Sequence, residues 1–434
     1  MSQFYKSHDK LGKAEKMYMR ALQGREKTLG PDHTSTLTTV HNLGNLYQSQ
    51  DKLGEAEQMY IRALQGYEKA LGPDHMSTLN TVHNLGSLYQ SQDKLGKAEQ
   101  MYMRALQGRE KTLGPDHTST LNTVHNLGSL YQSQGKLREA KQMYIRALQG
   151  EEKALGPDHT STLTTVHNLG NLYQSQDKLG EAEQMYIRAL QGYEKSLGPD
   201  HTSTLTTVHN LGNLYQSQDK LGEAEQMYIR ALQGYEKALG PDHTSTLNTV
   251  HNLGSLYQSQ GKLNEAEQIY MRALQGYEKA LGPDHTSTLD TVHNLGSLYK
   301  SQGKLGEAEQ MYMRALQGRE KTLSPDHTST LTTVHNLGNL YQSQGKLNEA
   351  EQIYMRALQG YEKALGPDHT STLDTVHNLG NLYKSQGKLN EAEQMYIRAL
   401  QGYEKALGPD HTSTLNTVHN LGSLLSILGQ TRRG

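Results

Sequence analysis

The chain has 434 residues, 43 basic and 45 acidic side chains, a formal net charge of −2 and no cysteine. This balance lacks the basic stripe that nucleic acids and anionic membranes require, and the missing cysteines exclude disulfides and thiolate chemistry. We find no apolar run of about 18 residues that predicts a transmembrane helix and no secretory signal in residues 1–10. The expected location is therefore cytoplasmic.

Two motifs recur every 42 residues along the whole chain. All ten prolines lie in the first motif, Pro-Asp-His, which begins at Pro31 and last occurs at Pro409. The second motif, Val-His-Asn-Leu-Gly, begins at Val40 and last occurs at Val418. An internal repeat of this length predicts a solenoid whose units stack one on the next, in place of several globular domains.

Residues 1–33 are predicted to form a partial repeat, with a short stub over residues 3–8 and then a helix near residues 13–29. The first complete unit follows, and its apolar residues from Leu37 to Tyr47 fall at spacings of three and four, which predicts an α-helix. Asp32 or Thr34 is the expected N-cap. Asp51, which is glycine in other copies, is expected in the left-handed conformation that ends a helix.

A second apolar stripe, from Ala56 to Leu71, predicts a second helix that is capped by Gly54 and ended by Gly72-Pro73. Each helix spans about 17 residues, or roughly 25 Å. We expect nine complete pairs over residues 34–411, then a lone helix and a degenerate tail over residues 412–434. Because Leu424, Leu425, Ile427 and Leu428 would expose apolar surface there, we expect either self-association through uncapped ends or a missing neighbour.

The run Asn42-Leu43-Gly44, continued by Tyr47, Ala56, Tyr60 and Ala63, resembles the signature of tetratricopeptide repeats. The 42-residue unit is similar to the kinesin light chain-like arrays and to the sensor arrays of some nucleotide-binding receptors. This resemblance covers essentially the whole chain. It implies an all-α, right-handed superhelical solenoid of stacked antiparallel helix pairs, with the first helix of each pair lining a concave groove.

Catalysis and cofactors are not expected, because a uniform array repeats the same groups everywhere and gathers no unique set in one pocket. Metal binding is not expected either, since ligands must converge on one ion, while His33 and His41 are eight residues apart. The histidines at the His41 position are predicted to be hydrogen-bonded at the surface. We therefore predict neither an enzyme nor a cofactor-binding protein.

The first helix carries no charge between residues 34 and 50, and its polar side chains share one helical face. We predict that this face binds an extended peptide, because an asparagine amide both donates and accepts hydrogen bonds. The alternative is that these asparagines bond to neighbouring helices and hold the superhelix. The predicted peptide-binding residues are His41, Asn42, Asn45, Gln48, His83, Asn84, His125, Asn126, His167, Asn168, His209, Asn210, His251, Asn252, His293, Asn294, His335, Asn336, His377 and Asn378.

Two positions of the second helix are unusual. The Tyr67 position alternates between tyrosine, arginine and glutamate, which predicts an exposed side chain without a binding role. Gly66 recurs in every copy although glycine inside a helix costs about 1 kcal/mol, so either a neighbouring helix packs closely there or the helix bends. On the first helix, Asp290 and Lys300 lie too far apart to pair with each other.

The leading functional hypothesis is an adaptor that binds an extended peptide or a partner protein along the groove, without nucleic acid or membrane contact. The alternative is a sensor or oligomerisation array belonging to a larger nucleotide-binding receptor-like protein. A kinesin light chain-like cargo adaptor is disfavoured, because the chain has neither a heptad coiled coil nor a basic groove. A phosphate-binding GxxxxGK[ST] loop is also absent from the sequence.

Overall fold

The structure is a computed structural model that describes the backbone of residues 2–431 and the side chains of residues 10–429. Within these residues all regular secondary structure is α-helical, which confirms the all-α prediction. The helices form two units that divide between Gln218 and Asp219. Each unit is a stack of antiparallel helix pairs and is described by itself.

The first unit contains α1 (Ser2–Leu29), α2 (Thr34–Ser49), α3 (Leu53–Leu71), α4 (Met76–Ser91), α5 (Leu95–Leu113), α6 (Thr118–Ser133), α7 (Leu137–Leu155), α8 (Thr160–Ser175), α9 (Leu179–Leu197) and α10 (Thr202–Ser217). The second unit contains α11 (Leu221–Leu239), α12 (Thr244–Ser259), α13 (Leu263–Leu281), α14 (Thr286–Ser301), α15 (Leu305–Thr322), α16 (Thr328–Ser343), α17 (Leu347–Leu365), α18 (Thr370–Ser385), α19 (Leu389–Leu407) and α20 (Thr412–Thr431). We call the even-numbered helices first helices and the odd-numbered helices second helices. The predicted stub over residues 3–8 is part of α1.

The loop histidine caps each first helix, so the prediction of Asp32 or Thr34 as the N-cap was wrong. His33 has an extended backbone, with φ −69° and ψ 139°, and its Nδ1 accepts a hydrogen bond from the backbone N–H of Ser35 at 3.2 Å. An imidazole in this place satisfies one of the N–H groups that the first turn leaves unpaired. The Thr36 hydroxyl donates to the carbonyl of Gly30 at 2.8 Å, which fastens the loop to the helix.

The ends of the helices follow the predicted backbone conformations more closely than the caps do. Asp51 has a φ of 60° and Gly135, at the same position, has 72°, so the left-handed residue after the first helix is confirmed. Gly72 ends the second helix with a φ of 90°. The second helix, however, begins at Leu53 after an N-cap at Lys52. Gly54 therefore lies inside the first turn and is not the cap.

The two helices of a pair meet at two glycines, one on each helix. A Cβ on Gly44 would lie 2.7 Å from the Tyr60 ring, and one on Gly66 would lie 2.3 Å from Cδ2 of Leu37. These distances are shorter than van der Waals contact, so each glycine admits a large side chain from the facing helix. Close packing, and not a bend, therefore explains Gly66, and α3 runs without a break from Leu53 to Leu71.

Partly exposed ion pairs between long side chains join the second helices of neighbouring repeats. Where α3 follows α1, the pairs are Arg62 with Glu26 at 2.5 Å, Lys69 with Asp32 at 2.7 Å, and Lys52 with Glu15 at 2.9 Å. The same spacings of 36 and 37 residues recur along both units, for example in Arg398 with Glu362 and in Lys388 with Glu351. These pairs form the outer connection between repeats.

The apolar residues near the end of α20 are only partly exposed. Leu424 is fully buried and, together with Leu428, packs against Tyr396 of α19. Leu425 and Ile427 are exposed. The prediction that all four side chains would be exposed was therefore wrong for Leu424, because the last helix packs against α19 through the same stripe that the other first helices use.

Candidate partner-binding face

The first-helix face is the row of polar side chains at the positions of Thr38, His41, Asn42, Asn45, Gln48 and Ser49. The Thr38 and Ser49 positions are exposed, whereas the Asn45 position is exposed in α2 and half-buried in the other first helices. The histidine and Asn42 positions are half-buried or buried from α2 to α18. In the first unit the first helices carry no charged residue. In the second unit charges appear on this face only in α14 and α18.

Within each unit, a chain of hydrogen bonds connects neighbouring first helices. The Asn84 amide Nδ2 lies 3.2 Å from Nε2 of His41, and Nδ1 of His41 lies 3.0 Å from the Thr81 hydroxyl. Because an amide nitrogen only donates, Nε2 accepts and the ring proton sits on Nδ1, where it is donated to Thr81. Thr81 in turn donates to the carbonyl of Ser77 at 2.8 Å. We call this arrangement the Asn–His–Thr relay.

The relay recurs in both units with little change. The distances from Nδ1 to the threonine hydroxyl lie between 2.7 and 3.3 Å for His83, His125, His167, His251, His293, His335 and His377. The asparagines that donate to the preceding histidine include Asn126, Asn168, Asn210, Asn294, Asn336 and Asn378. The amide hydrogens on which the peptide-binding prediction relied are therefore largely used between repeats.

The relay requires a neutral imidazole, because a protonated Nε2 has no lone pair left to accept the amide hydrogen. Burial disfavours the charged form and lowers the pKa of His125 and of His167 to about 4. At His83, burial together with the nearby Arg109 guanidinium lowers the pKa to about 3. The prediction that these histidines lie at the surface was therefore wrong. His83, for example, is only 8% exposed.

Asn45 and Gln48 also have partners inside the protein. The hydroxyl of Tyr60 donates to Oδ1 of Asn45 at 2.6 Å and lies 2.9 Å from Oε1 of Gln48. The Asn84 amide reaches Oδ1 of Asn45 as well, at 3.0 Å. The structure thus brings the predicted residues together on one face, but their hydrogen bonds hold neighbouring helices. Peptide binding by these residues stays a prediction.

The variable position on the second helix is buried, so the prediction that it is exposed was wrong. Tyr67, Arg109 and Glu151 are each 4% exposed. The hydroxyl of Tyr67 is 2.9 Å from the hydroxyl of Thr38 on the first helix of the same repeat. The polar head of this side chain therefore lies directly beneath the exposed Thr38 position, where it contributes to the first-helix face.

The residue at the Thr38 position bonds to the buried side chain of the second helix in other repeats as well. Arg319 donates to Asp290 at 2.5 Å, and Arg109 donates to Asn80 at 2.7 Å. The hydroxyl of Tyr403 bonds to the carboxylate of Asp374. Asp290 is therefore paired within its own repeat, through the second helix. In the complete repeats, arginine or glutamate at the buried position always faces asparagine or aspartate at the Thr38 position, and this partial match in the sequence pointed to the contact.

Glu151 is the one glutamate that occupies this buried position. Its Oε2 has no hydrogen-bond partner among the described residues, and burial raises the pKa of the carboxyl to about 7. A hydrogen bond with Thr165 partly opposes this shift. At neutral pH the Glu151 carboxyl is therefore partly protonated.

Two further findings bear on what this face can bind. Within the described residues, no group of three histidine, aspartate or glutamate side chains is placed to hold a metal ion. No helix in the same part of the chain is both long enough and apolar enough to cross a membrane.

Several solved structures are similar to this chain, and three of them have TM-scores between 0.42 and 0.55. A putative kinesin light chain with nearly identical TPR-like repeats from Podosopora anserina is 28% identical, with a TM-score of 0.42, over 48% of this chain and 98% of that one. The BtubC (BKLC) protein of P. vanneervenii is 21% identical, with a TM-score of 0.43, over 57% of this chain and 92% of that one. A signal transduction ATPase with a tetratricopeptide repeat sensor from Pyrococcus horikoshii shares the fold at 14% identity, with a TM-score of 0.55, over 80% of this chain and 52% of that one.

A comparison with curated proteins found no significant match. The tetratricopeptide repeat family model, in contrast, matches ten overlapping segments that run from residues 3–69 to residues 371–433. These segments cover nearly the whole chain, and each contains the helix pairs described above. The chain therefore belongs to the tetratricopeptide repeat family.

Proposed function

We propose that the chain is a protein-interaction scaffold whose first-helix face binds an extended peptide or an extended segment of a partner protein. Arrays of tetratricopeptide repeats generally serve as non-catalytic scaffolds for protein binding. The observation that carries the proposal is the repetition of exposed polar positions, those of Thr38 and Ser49, along neighbouring first helices. An extended peptide presents its backbone N–H and C=O groups at regular intervals, which suits such a periodic surface.

The relay and the exposed row have separate roles in this proposal. The relay residues set the spacing between first helices, and the side chains at the Thr38 and Ser49 positions contact the ligand. The first unit offers an uncharged surface, whereas the second unit adds Asp290, Lys300, Asp374 and Lys384. Lys384 donates to Ser423 at 2.9 Å in the next first helix, which places its ammonium across the face. The two units therefore select different ligand segments.

The test places bulk and charge on the exposed row without touching the relay. Peptides that bind the whole parent chain are first selected from a displayed random library. Their affinity is then measured for the parent chain and for the double variant Ser133→Arg/Ser175→Arg. Both serines are exposed on first helices. We expect the dissociation constant of a ligand that binds the first unit to rise by about tenfold or more.

The matched control is Gln149→Arg/Gln191→Arg, which places the same two charges at the same spacing on exposed positions of second helices. This control should leave the affinity unchanged, and both double variants should keep the thermal midpoint of the parent. A library that yields no binding peptide, or an equal loss of affinity in the control, contradicts the proposal.

A further inference from the structure

α20 leaves uncovered the side that the other first helices of its unit bury. Leu415 and Val418 are 51% and 47% exposed, whereas their equivalents in α18, Leu373 and Val376, are 1% and 0% exposed. In α18 this side is covered by the second helix of the same repeat, α19. The exposed side of α20 is therefore a free packing surface of the kind that a second helix covers in α18.

The close-packing glycine of α20 is open in the same way. A Cβ placed on Gly422 would meet nothing within 4 Å. At the equivalent Gly380 of α18, a Cβ would lie 2.8 Å from the ring of Tyr396. The exposed surface of α20 thus includes, at Gly422, the space that a tyrosine ring fills at Gly380.

α1 carries the complementary surface. Ala21 is exposed, although its equivalent Ala63 in α3 is completely buried. Gly24 has nothing within 4 Å of its virtual Cβ, whereas the equivalent Gly66 receives the methyl groups of Leu37, with the closest at 2.3 Å. The surface that α3 buries against its first helix is therefore exposed on α1.

We propose that α20 of one copy and α1 of a second copy pair with each other as the two helices of one repeat. In the register that every other pair uses, Leu415 would pack against Gly24, and Tyr18 would pack against Gly422. Both contacts join a glycine with open space to the large side chain that occupies this space elsewhere. This self-association uses surfaces apart from the first-helix face and does not depend on the proposed function.

Charge complementarity supports a second copy as the occupant. Within each unit, every step between second helices has an arginine that pairs with a glutamate 36 residues earlier and a lysine that pairs with an aspartate 37 residues earlier, as in Arg62 with Glu26 and Lys69 with Asp32. Continued across the junction, this pattern pairs Arg20 with Glu404 and Lys27 with Asp410. None of these four side chains has an ion-pair partner among the described residues of its own copy.

Because the two surfaces differ, the contact is heterologous, and a pair of bound copies still has one open α20 surface and one open α1 surface. Two copies in which the same surface is blocked therefore cannot pair with each other. This property separates the proposal from a symmetric dimer, in which α20 would pair with α20 or α1 with α1.

The test uses the whole chain in two variants, with Leu415→Lys to block the surface of α20 and Ala21→Arg to block that of α1. Both positions are exposed, so circular dichroism should show unchanged helix content. Sedimentation velocity over a hundredfold range of concentration should show oligomers for the parent chain and monomers for each variant alone. An equimolar mixture of the two variants should form dimers, since each keeps the surface that the other has lost.

Ile427→Lys is the control, because Ile427 is exposed at the Ser49 position of the first-helix face, outside the proposed contact. It should associate like the parent. Arg20→Glu should weaken association by about tenfold, and Glu404→Arg in the partner should restore it. A parent chain that stays monomeric, a blocked variant that still dimerises by itself, or a mixture that stays monomeric overturns the proposal.

Discussion

Neighbouring repeats are joined on two sides of the solenoid by different chemistry. On the first helices the connection is the Asn–His–Thr relay, in which half-buried and buried neutral groups bond at ordinary hydrogen-bond distances, for example 2.7 Å between His125 and Thr165. On the second helices it consists of ion pairs in which both partners keep a large exposed fraction, such as 37% for both Arg188 and Glu152. Exposed pairs contribute little because water already solvates their charges, whereas buried polar groups cost free energy if their partner is lost.

The difference implies that acid weakens the Asn–His–Thr relay between first helices, whereas salt weakens the ion pairs between second helices. A neutral imidazole that is buried in the folded state takes up a proton more readily when the chain unfolds. An exposed ion pair keeps both charges near neutral pH but is screened as the ionic strength rises. Variants and conditions that affect one side and not the other therefore separate the two connections.

Acid is expected to have the largest effect. The pKa of His125, His167 and His335 is about 4 in the folded state, against about 6.5 when unfolded. The unfolded chain thus binds more protons between these values, and stability falls as the pH drops from about 6.5 towards 4. At pH 5 each of these three imidazoles should cost roughly 1–2 kcal/mol, so the thermal midpoint should fall steeply.

Glu151 works in the opposite direction but is a single group. Its pKa is raised to about 7, so protonation stabilises the fold as the pH falls through 7, and this gain offsets only one relay. The matched pair of variants is His167→Gln, which removes a relay histidine, and His159→Asn, which replaces an exposed capping histidine with another good N-cap. Only the first should flatten the pH dependence. A midpoint that is constant between pH 7 and pH 5 would contradict the neutral relay.

A smaller effect is expected where the two helix types meet. Gly192→Ala would bring a Cβ to 2.3 Å from Cδ2 of the buried Leu163. Overpacking of this kind costs about 1–3 kcal/mol and is partly offset by the ~1 kcal/mol gain in helix propensity. Gly180→Ala in the same helix meets nothing within 4 Å and should be neutral or stabilising. Equal thermal midpoints for the two variants would show that the contact with Leu163 adapts without cost.

The sequence was sufficient to predict the helix pairs, because the apolar spacing, Gly72-Pro73 and the residue at position 51 are local signals. The cap on the first helix was missed because histidine is an uncommon cap, and only the extended backbone of His33 shows that its ring turns back over the first turn. Such a rotamer is not encoded in the spacing of apolar residues.

The candidate face was predicted correctly as a set of neighbours but not in its hydrogen bonding. The partner of His41 lies 40 residues away in Thr81, and a helical wheel of one repeat cannot contain a contact between repeats. The Tyr67 position was misjudged for a related reason. Variation between aromatic and charged residues suggested exposure, although each variant is matched by a change at the Thr38 position.

The outer ion pairs are expected to give the smallest effect. Arg188→Gln removes one partner of the exposed pair with Glu152, which should lower the free energy of unfolding by about 0.2–1 kcal/mol in dilute salt. The loss should shrink as sodium chloride is added, because screening already weakens the pair in the parent chain. His167→Gln, in contrast, should destabilise the chain equally in dilute and concentrated salt, since its partners are uncharged. Thermal midpoints of the parent and both variants across a salt series measure the difference, and a salt-independent loss for Arg188→Gln would mean that packing of the arginine stem, and not its charge, joins the second helices.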